Sequence, residues 1–125
     1  MAFDFGLRHI GVAVGQTITG TATPLTTLAA RDGRPDWPTV VALVREWRPA
    51  ALLVGLPLNM DDTESAMSDR ARQFATRLAR QTALPVHLVD ERLTSRAARE
   101  AGPDRTHEHA AVLIAETWLN AQPSA

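Results

Sequence analysis

The spacing of apolar positions alternates between strand-like and helical periods along the chain and predicts an α/β fold. The predicted order is three strands, a helix, a strand, a helix, a strand and two helices. An antiparallel hairpin pair would therefore lead into a partly parallel sheet. Strands are predicted around Asp4 and at 10–14, 19–28, 51–56 and 86–89, and helices at 37–48, 64–82, after Thr94 and at 106–120.

The first predicted helix has a clear start and one apolar face. Asp36 is placed to cap it, and Pro38 falls in its first turn, where a missing N–H costs nothing. An apolar stripe at helical spacing consists of Trp37, Val40, Val41, Val44 and Trp47. Because all three tryptophans of the chain, the third being Trp118, lie on such stripes, they are predicted to pack in the core rather than to stack on bases.

The start of the chain places one carboxylate, Asp4, inside an otherwise apolar strand. A buried carboxylate without a partner costs several kcal/mol, so Asp4 is expected to be paired, hydrogen-bonded or metal-bound. Gly6 and Gly11 suggest a tight reversal into the second strand, and Gly15 suggests a bulge or a close backbone approach.

Composition restricts the possible classes without selecting a function. The 125 residues are predicted to form one domain, 1–125, with a formal net charge of -1, so no global basic field favours nucleic acid. Residues 65–105 nevertheless carry eight Arg against five acidic residues, which allows a local basic patch. The absence of cysteine excludes a disulfide framework, a thiolate zinc site and a cysteine nucleophile.

The apolar runs are much shorter than a membrane span, and the chain enters its first strand without the charged and apolar regions of a signal peptide. We therefore expect a cytoplasmic protein without membrane contact, and a monomer.

A second acid, Glu91, follows the predicted strand 86–89 at its carboxyl end, where open α/β sheets bind ligands. If that strand adjoins the first, Asp4 and Glu91 converge. Converging carboxylates suit Mg²⁺ or Mn²⁺, and two such ions roughly 3.5 to 4 Å apart can hold the attacking and leaving oxygens of a phosphodiester. Two alternatives remain: Glu91 could pair with a surface Arg such as Arg92, and turn amides could satisfy Asp4.

Four sequence blocks resemble the signature motifs of the bacterial YqgF/RuvX family. The blocks are DFG at 4–6 with IGVA at 10–13, VGLPLNMD at 54–61, DERLT at 90–94 and AAVLI at 110–114. The resemblance implies an RNase H-like, RuvC-type fold with a mixed five-stranded sheet flanked by helices. It also implies a metal-dependent nuclease that matures the 5′ end of pre-16S rRNA, with Asp4 and Glu91 as catalytic, metal-binding acids.

One position departs from the family pattern, because His107 stands where the family has an Asp. Helical spacing puts His107 on the same face as Ala111 and Ile114, so it is predicted to face the sheet as a third catalytic group and metal ligand. Imidazole binds Mn²⁺ better than Mg²⁺. A helix-start histidine that only packs or caps is the alternative, and Glu108, about 100° around the helix, is a weaker substitute.

Substrate contacts are predicted for five residues near the expected site. Arg8 could reach a phosphate from the first turn, and Asn59 and Asp61 follow the central strand. Arg92 and Thr94 belong to the third block. The expected partner is nucleic acid, with pre-rRNA favoured and branched DNA possible. A Holliday junction resolvase-like DNA endonuclease and a catalytically silent binding relative remain alternatives, whereas an actin-like ATPase needs a second lobe that 125 residues cannot supply.

Overall fold

The computed structural model describes residues 1–59, 61, 63–91 and 106–121. The predicted helix after Thr94 and the predicted break at Gly102 and Pro103 lie outside these residues. The strands are β1 (Ala2–Asp4), β2 (His9–Gln16), β3 (Thr21–Arg31), β4 (Arg34–Pro35), β5 (Leu52–Leu56) and β6 (Val86–Asp90). The helices are α1 (Trp37–Trp47), α2 (Ala66–Thr82) and α3 (His107–Ala121).

The strands form one mixed sheet in the order β4-β3-β2-β1-β5-β6. Strands β1 to β4 pair antiparallel, whereas β5 pairs parallel with both β1 and β6. The α/β expectation is therefore confirmed, with six strands instead of five. The additional strand, β4, arises because Asp32 and Gly33 both have positive φ, 51° and 79°, and so form a two-residue turn that folds Arg34 back onto β3.

The helices cover both faces of the sheet. Helices α1 and α2 pack over one face on a core centred on Phe3, Val54 and Phe74. Helix α3 covers the other face, where Ile114 and Ala115 pack on Ala2 and Leu53. No helix in the described part of the chain is both long and apolar enough to cross a membrane.

Helix α1 begins as predicted, since Asp36 accepts a hydrogen bond from the backbone N–H of Thr39. The prediction that Trp47 is buried is wrong, because 46% of this residue is exposed. Val40 and Val44 meet the sheet, but Trp47 is the last residue of α1, beyond the part of the helix that the sheet covers. It lines an apolar cavity of about 440 Å³ together with Ile18 and Trp118.

Two glycines differ from their predicted roles. Gly11 lies within β2 rather than in the reversal, which the 5–8 loop makes. The irregularity of β2 falls between Val12 and Ala13, not at Gly15. Gly15 is instead a close approach, as the alternative expectation had it, because a Cβ there would lie 3.0 Å from Leu119 Cδ1 of α3.

Candidate active site

Asp4 ends the central strand β1 and lies on the sheet face that α3 covers. Its cross-strand partner is Gly11 of β2, and a Cβ at Gly11 would collide with the start of α3. Residues directly opposite each other in an antiparallel pair point to the same face, so the Asp4 side chain also lies on that face. Asp4 is half-buried and, as expected for a carboxylate in an apolar strand, has an interaction partner.

Glu91 follows β6 and lies on the same face as Asp4. Val89 packs in the cluster below α3, and strand alternation puts Glu91, two residues later, on that side. The backbone N–H of Glu91 donates a 3.0 Å hydrogen bond to the carbonyl of Leu56, which fixes Glu91 at the end of β5.

The two acids are not on neighbouring strands, because β5 lies between β1 and β6. With neighbouring strands about 4.8 Å apart, β1 and β6 lie roughly 10 Å apart. Gly55 of β5 lies in the intervening space, and the Glu91 side chain extends over it: a Cβ at Gly55 would collide with Glu91 Oε1 and lie 2.9 Å from its Cγ. The missing side chain at position 55 therefore opens the path along which Glu91 extends towards β1.

The first turn of α3 lies directly on Gly11. A Cβ at that position would collide with the carbonyl group of His107 and lie 2.9 Å from the backbone nitrogen of Glu108. Because Gly11 is the partner of Asp4, the helix begins beside the β1 carboxylate. The backbone of His107 therefore reaches the predicted site.

The predicted role of His107 as a third ligand stays a prediction. The His107 ring is exposed and stacks on the ring of His9, with centroids 4.8 Å apart and planes 17° apart. Among the described residues, no three His, Asp or Glu side chains are grouped so that they could hold a metal ion.

Glu108 is engaged elsewhere. Hydrogen bonds from the hydroxyls of Thr106 and Thr27, with its own backbone N–H and the nearby His107, hold the pKa of the Glu108 carboxyl below its ordinary value. Thr27 lies on β3, so this carboxylate attaches the start of α3 to the side of the sheet that is remote from Glu91.

Asn59 and Asp61 belong to the loop after β5, at the same end of the sheet as Glu91. The Asp61 carboxylate accepts hydrogen bonds from the Thr63 hydroxyl at 2.6 Å and from the Thr63 backbone N–H at 3.2 Å, and these bonds lower the pKa of Asp61. Asn59 Nδ2 donates to the same hydroxyl at 2.9 Å. Both side chains thus shape the loop, and their contact with substrate stays a prediction.

Arg8 is exposed in the loop between β1 and β2, and its carbonyl accepts a 2.8 Å hydrogen bond from Ala30. Its backbone is therefore fixed while its side chain faces solvent. The other two predicted substrate contacts, Arg92 and Thr94, lie outside the described residues.

Sequence reasoning did not identify the roles of His9 and Gly55. The signal for Gly55 was present, since a glycine inside a buried apolar strand often marks a close approach by another group. His9 had no such signal, because its stacking partner is 98 residues away in the chain.

A family model described as "RuvX: Holliday junction resolvase" matches residues 1–121. The chain belongs to the RuvX family. The resemblance of the four sequence blocks is thereby confirmed.

Curated relatives of this RuvX chain match along almost its whole length. A protein of Marinobacter nauticus is 51% identical over 98% of this chain and 92% of its own. A protein of Azotobacter vinelandii is 49% identical over 99% of this chain and 94% of its own. Each has the name "Putative pre-16S rRNA nuclease".

Solved structures of RuvC from Thermus thermophilus share the fold. The structure in complex with a Holliday junction substrate superimposes with a TM-score of 0.64 at 20% identity, over 92% of this chain and 88% of that one. A second RuvC structure gives 0.58 at 19% identity. The expected RuvC-type, RNase H-like fold is therefore confirmed.

Proposed function

We propose that this RuvX protein is a nuclease that hydrolyses phosphodiester bonds at the 5′ end of pre-16S rRNA, with Asp4 and Glu91 as its catalytic acids. The observation that carries the proposal is the placement of Glu91 over Gly55, on the same sheet face as Asp4. The names of its close relatives support RNA as the substrate. Such a role would be carried out in the cytoplasm.

The donor chemistry of the two acids fits a divalent metal ion. Both offer carboxylate oxygens, which Mg²⁺ and Mn²⁺ prefer, and the gap above Gly55 leaves the Glu91 carboxylate unobstructed by a neighbouring side chain of β5. Asp4 and Glu91 would hold the ion, and its chemistry would be to lower the pKa of a bound water and to stabilise negative charge on the phosphate.

His107 is the third proposed ligand and catalytic group. Its backbone lies over Gly11 beside Asp4, and its ring stacks on His9 of β2, the strand that pairs with β1. In this proposal Gly11 lets the start of α3 approach β2, and Gly55 lets the Glu91 side chain extend over β5. The two acids bind the metal ion, and the start of α3 brings His107 to the site.

Substrate would lie along the carboxyl ends of β1, β5 and β6. Arg8 is proposed to contact a phosphate there because its side chain is exposed in the loop that follows Asp4. Asn59 and Asp61 are proposed to contact substrate from the loop after β5, whose shape their bonds to Thr63 maintain. Arg92 and Thr94, which lie outside the described residues, are proposed as further substrate contacts.

A second candidate function is the cleavage of branched DNA. It is supported by the description of the family model and by the fold shared with RuvC. A third candidate, a relative that binds nucleic acid without cleaving it, is supported by the lack, among the described residues, of three His, Asp or Glu side chains grouped to hold a metal ion.

The decisive experiment compares Asp4→Asn and Glu91→Gln with the unaltered protein on two labelled substrates, a pre-16S rRNA 5′ fragment and a four-way DNA junction. We expect metal-dependent cleavage of the RNA, its loss in both variants, and thermal unfolding within a few degrees of the parent. Preferential cleavage of the junction would select the second function. Full activity of both variants, or no cleavage of either substrate by the parent, would overturn the proposed nuclease.

A further inference from the structure

A polar cleft of about 510 Å³ opens between the start of α1, the first half of α2 and the β3–β4 turn. Its charged lining comprises Asp32, Arg34, Asp69, Arg70 and Arg77, and its aromatic lining comprises Phe5, Trp37 and Phe74. It lies on the α1 and α2 side of the sheet, whereas Asp4 and Glu91 lie on the α3 side. The cleft is therefore distinct from the candidate active site.

Of the two acidic groups of the cleft, Asp32 forms an ion pair and Asp69 bonds a neutral amide. Asp32 forms a 3.1 Å ion pair with Arg70, and its backbone carbonyl accepts a second bond from the same guanidinium nitrogen at 3.0 Å. Asp69 accepts a 3.0 Å hydrogen bond from Gln73. Within 1–59, 61, 63–91 and 106–121, no carboxylate forms an ion pair with Arg34 or Arg77. Asp69 keeps its negative charge because Gln73 is neutral, so three arginines against two aspartates give the cleft a net charge of +1. Arg34 and Arg77 are the guanidinium groups left to bind an anion.

Arg77 is held in a defined position by an aromatic ring. Its guanidinium carbon lies 5.3 Å from the centroid of Trp37. A cation–π contact does not consume the N–H donors of a guanidinium, which can bind a phosphate in a bidentate manner.

The same ring stacks on Phe74, with centroids 5.5 Å apart and planes 28° apart. Trp37 therefore contacts Arg77 and Phe74 and is not presented as a free platform for a base. The chemistry of the cleft favours phosphate groups over nucleobases.

The cleft opens at the same end of the sheet as the active site. Phe5, which follows Asp4 directly, forms part of its wall and packs on Phe74 with ring centroids 5.3 Å apart. A Cβ at Gly33 would lie 2.8 Å from Phe5 Cζ, so the β3–β4 turn is closely packed on this wall. An RNA strand that is bound near Asp4 and passes Phe5 at this end of the sheet would enter the cleft.

We infer that the cleft binds one or two backbone phosphates of the RNA strand, beyond the bond that is cleaved, through Arg34 and Arg77. The inference rests on the proposed nuclease function and extends it with a second anchoring point. The ligand is a polynucleotide strand rather than a free nucleotide. Once one part of a strand is held near Asp4, its other phosphates are present at a high effective concentration beside the cleft, so the cleft binds them more tightly than it binds a free phosphate.

Binding to a fluorescent single-stranded RNA, measured by anisotropy in EDTA so that no cleavage occurs, tests this inference. We expect Arg34→Gln and Arg77→Gln each to weaken binding about five- to tenfold, and the slope of log affinity against log salt to fall by about 0.7 per lost phosphate contact. Arg45→Gln is the matched control, because it removes the same charge from the last turn of α1, outside the cleft. Its affinity should stay within twofold of the parent.

Equal losses for Arg45→Gln and Arg77→Gln, or no loss for the cleft variants, would overturn the inference. A competition arm separates a strand from a free nucleotide: adenosine monophosphate that displaced the RNA at a similar concentration would also overturn it. Since binding is measured without cleavage, failure here would leave the activity test on Asp4 and Glu91 unaffected, and failure of that test would leave this measurement interpretable.

Discussion

The Glu91 side chain occupies the space that a side chain at Gly55 would fill, so a glycine on β5 sets the position of an acid that follows β6. This contact joins the end of β6 to the centre of the sheet. The proposed site therefore requires a glycine at position 55 in addition to the two acids.

Changing Gly55→Ala should reduce cleavage by about ten- to a hundredfold, the usual effect of disturbing a residue that orients a metal ligand. The added Cβ would also lie 2.7 Å from Ile114 Cδ1, so the variant should lose about 1–3 kcal/mol of unfolding free energy. Cleavage assays and urea unfolding measure the two effects.

The double variant Gly55→Ala with Ile114→Val separates these effects. Removal of Cδ1 relieves the clash with Ile114 but not the one with Glu91, so stability should recover relative to Gly55→Ala while cleavage stays low. Recovery of both would show that Gly55 serves packing alone.

Both proposed acids could be predicted from the sequence. A carboxylate within or directly after an apolar strand loses hydration, and only a cation, a metal ion or hydrogen-bond donors can compensate for that loss. The helix positions could also be predicted, as the burial of Val40, Val44 and Ile114 shows. Periodicity gives the direction in which a helical side chain points. It does not tell where the opposing sheet ends, which is why Trp47 was predicted to be buried.

Contacts between distant parts of the chain could not be predicted from the sequence. The interposition of β5 between β1 and β6 and the stack of His107 on His9 both depend on strand order and on where α3 docks. Neither is encoded in a local pattern, so the expected neighbourhood of the acids and the expected direction of His107 could be tested only in three dimensions.

Ser68 is fully buried and should contribute strongly to stability. Its hydroxyl donates to the carbonyl of Pro57 and accepts a 3.0 Å bond from the Ser65 backbone N–H, which joins the start of α2 to the loop after β5. Ser68→Ala would leave both groups unsatisfied and should cost about 1–3 kcal/mol in urea unfolding. A change below about 0.5 kcal/mol, the usual range for a surface substitution, would contradict this role.

The pKa of Glu108 should rise in Thr27→Val, because one hydroxyl that stabilises its carboxylate is removed; Thr106→Val, which removes the leading cause, should raise it further. Since the folded pKa lies below the ordinary value of 4.5, the carboxylate stabilises the fold above pH 4.5, and this contribution is lost as pH falls through the folded pKa. Thr27→Val should therefore shift that loss to higher pH. Carboxyl NMR titration measures it, with Thr26→Val, on the opposite face of β3, as the unaffected control.

His107→Asp should increase Mg²⁺-supported cleavage relative to the parent, which we expect to prefer Mn²⁺. The substitution replaces a nitrogen donor by the oxygen donor that Mg²⁺ prefers, and it removes the stack that directs His107 towards His9. His9→Ala removes the same stack but keeps the imidazole, so it should increase the Mn²⁺-supported rate and leave the Mg²⁺ rate low. Parallel cleavage assays with each ion distinguish the two variants. If the parent used both ions equally and His107→Ala had no effect, His107 would be a packing residue at the start of α3 and the site would consist of Asp4 and Glu91 without it.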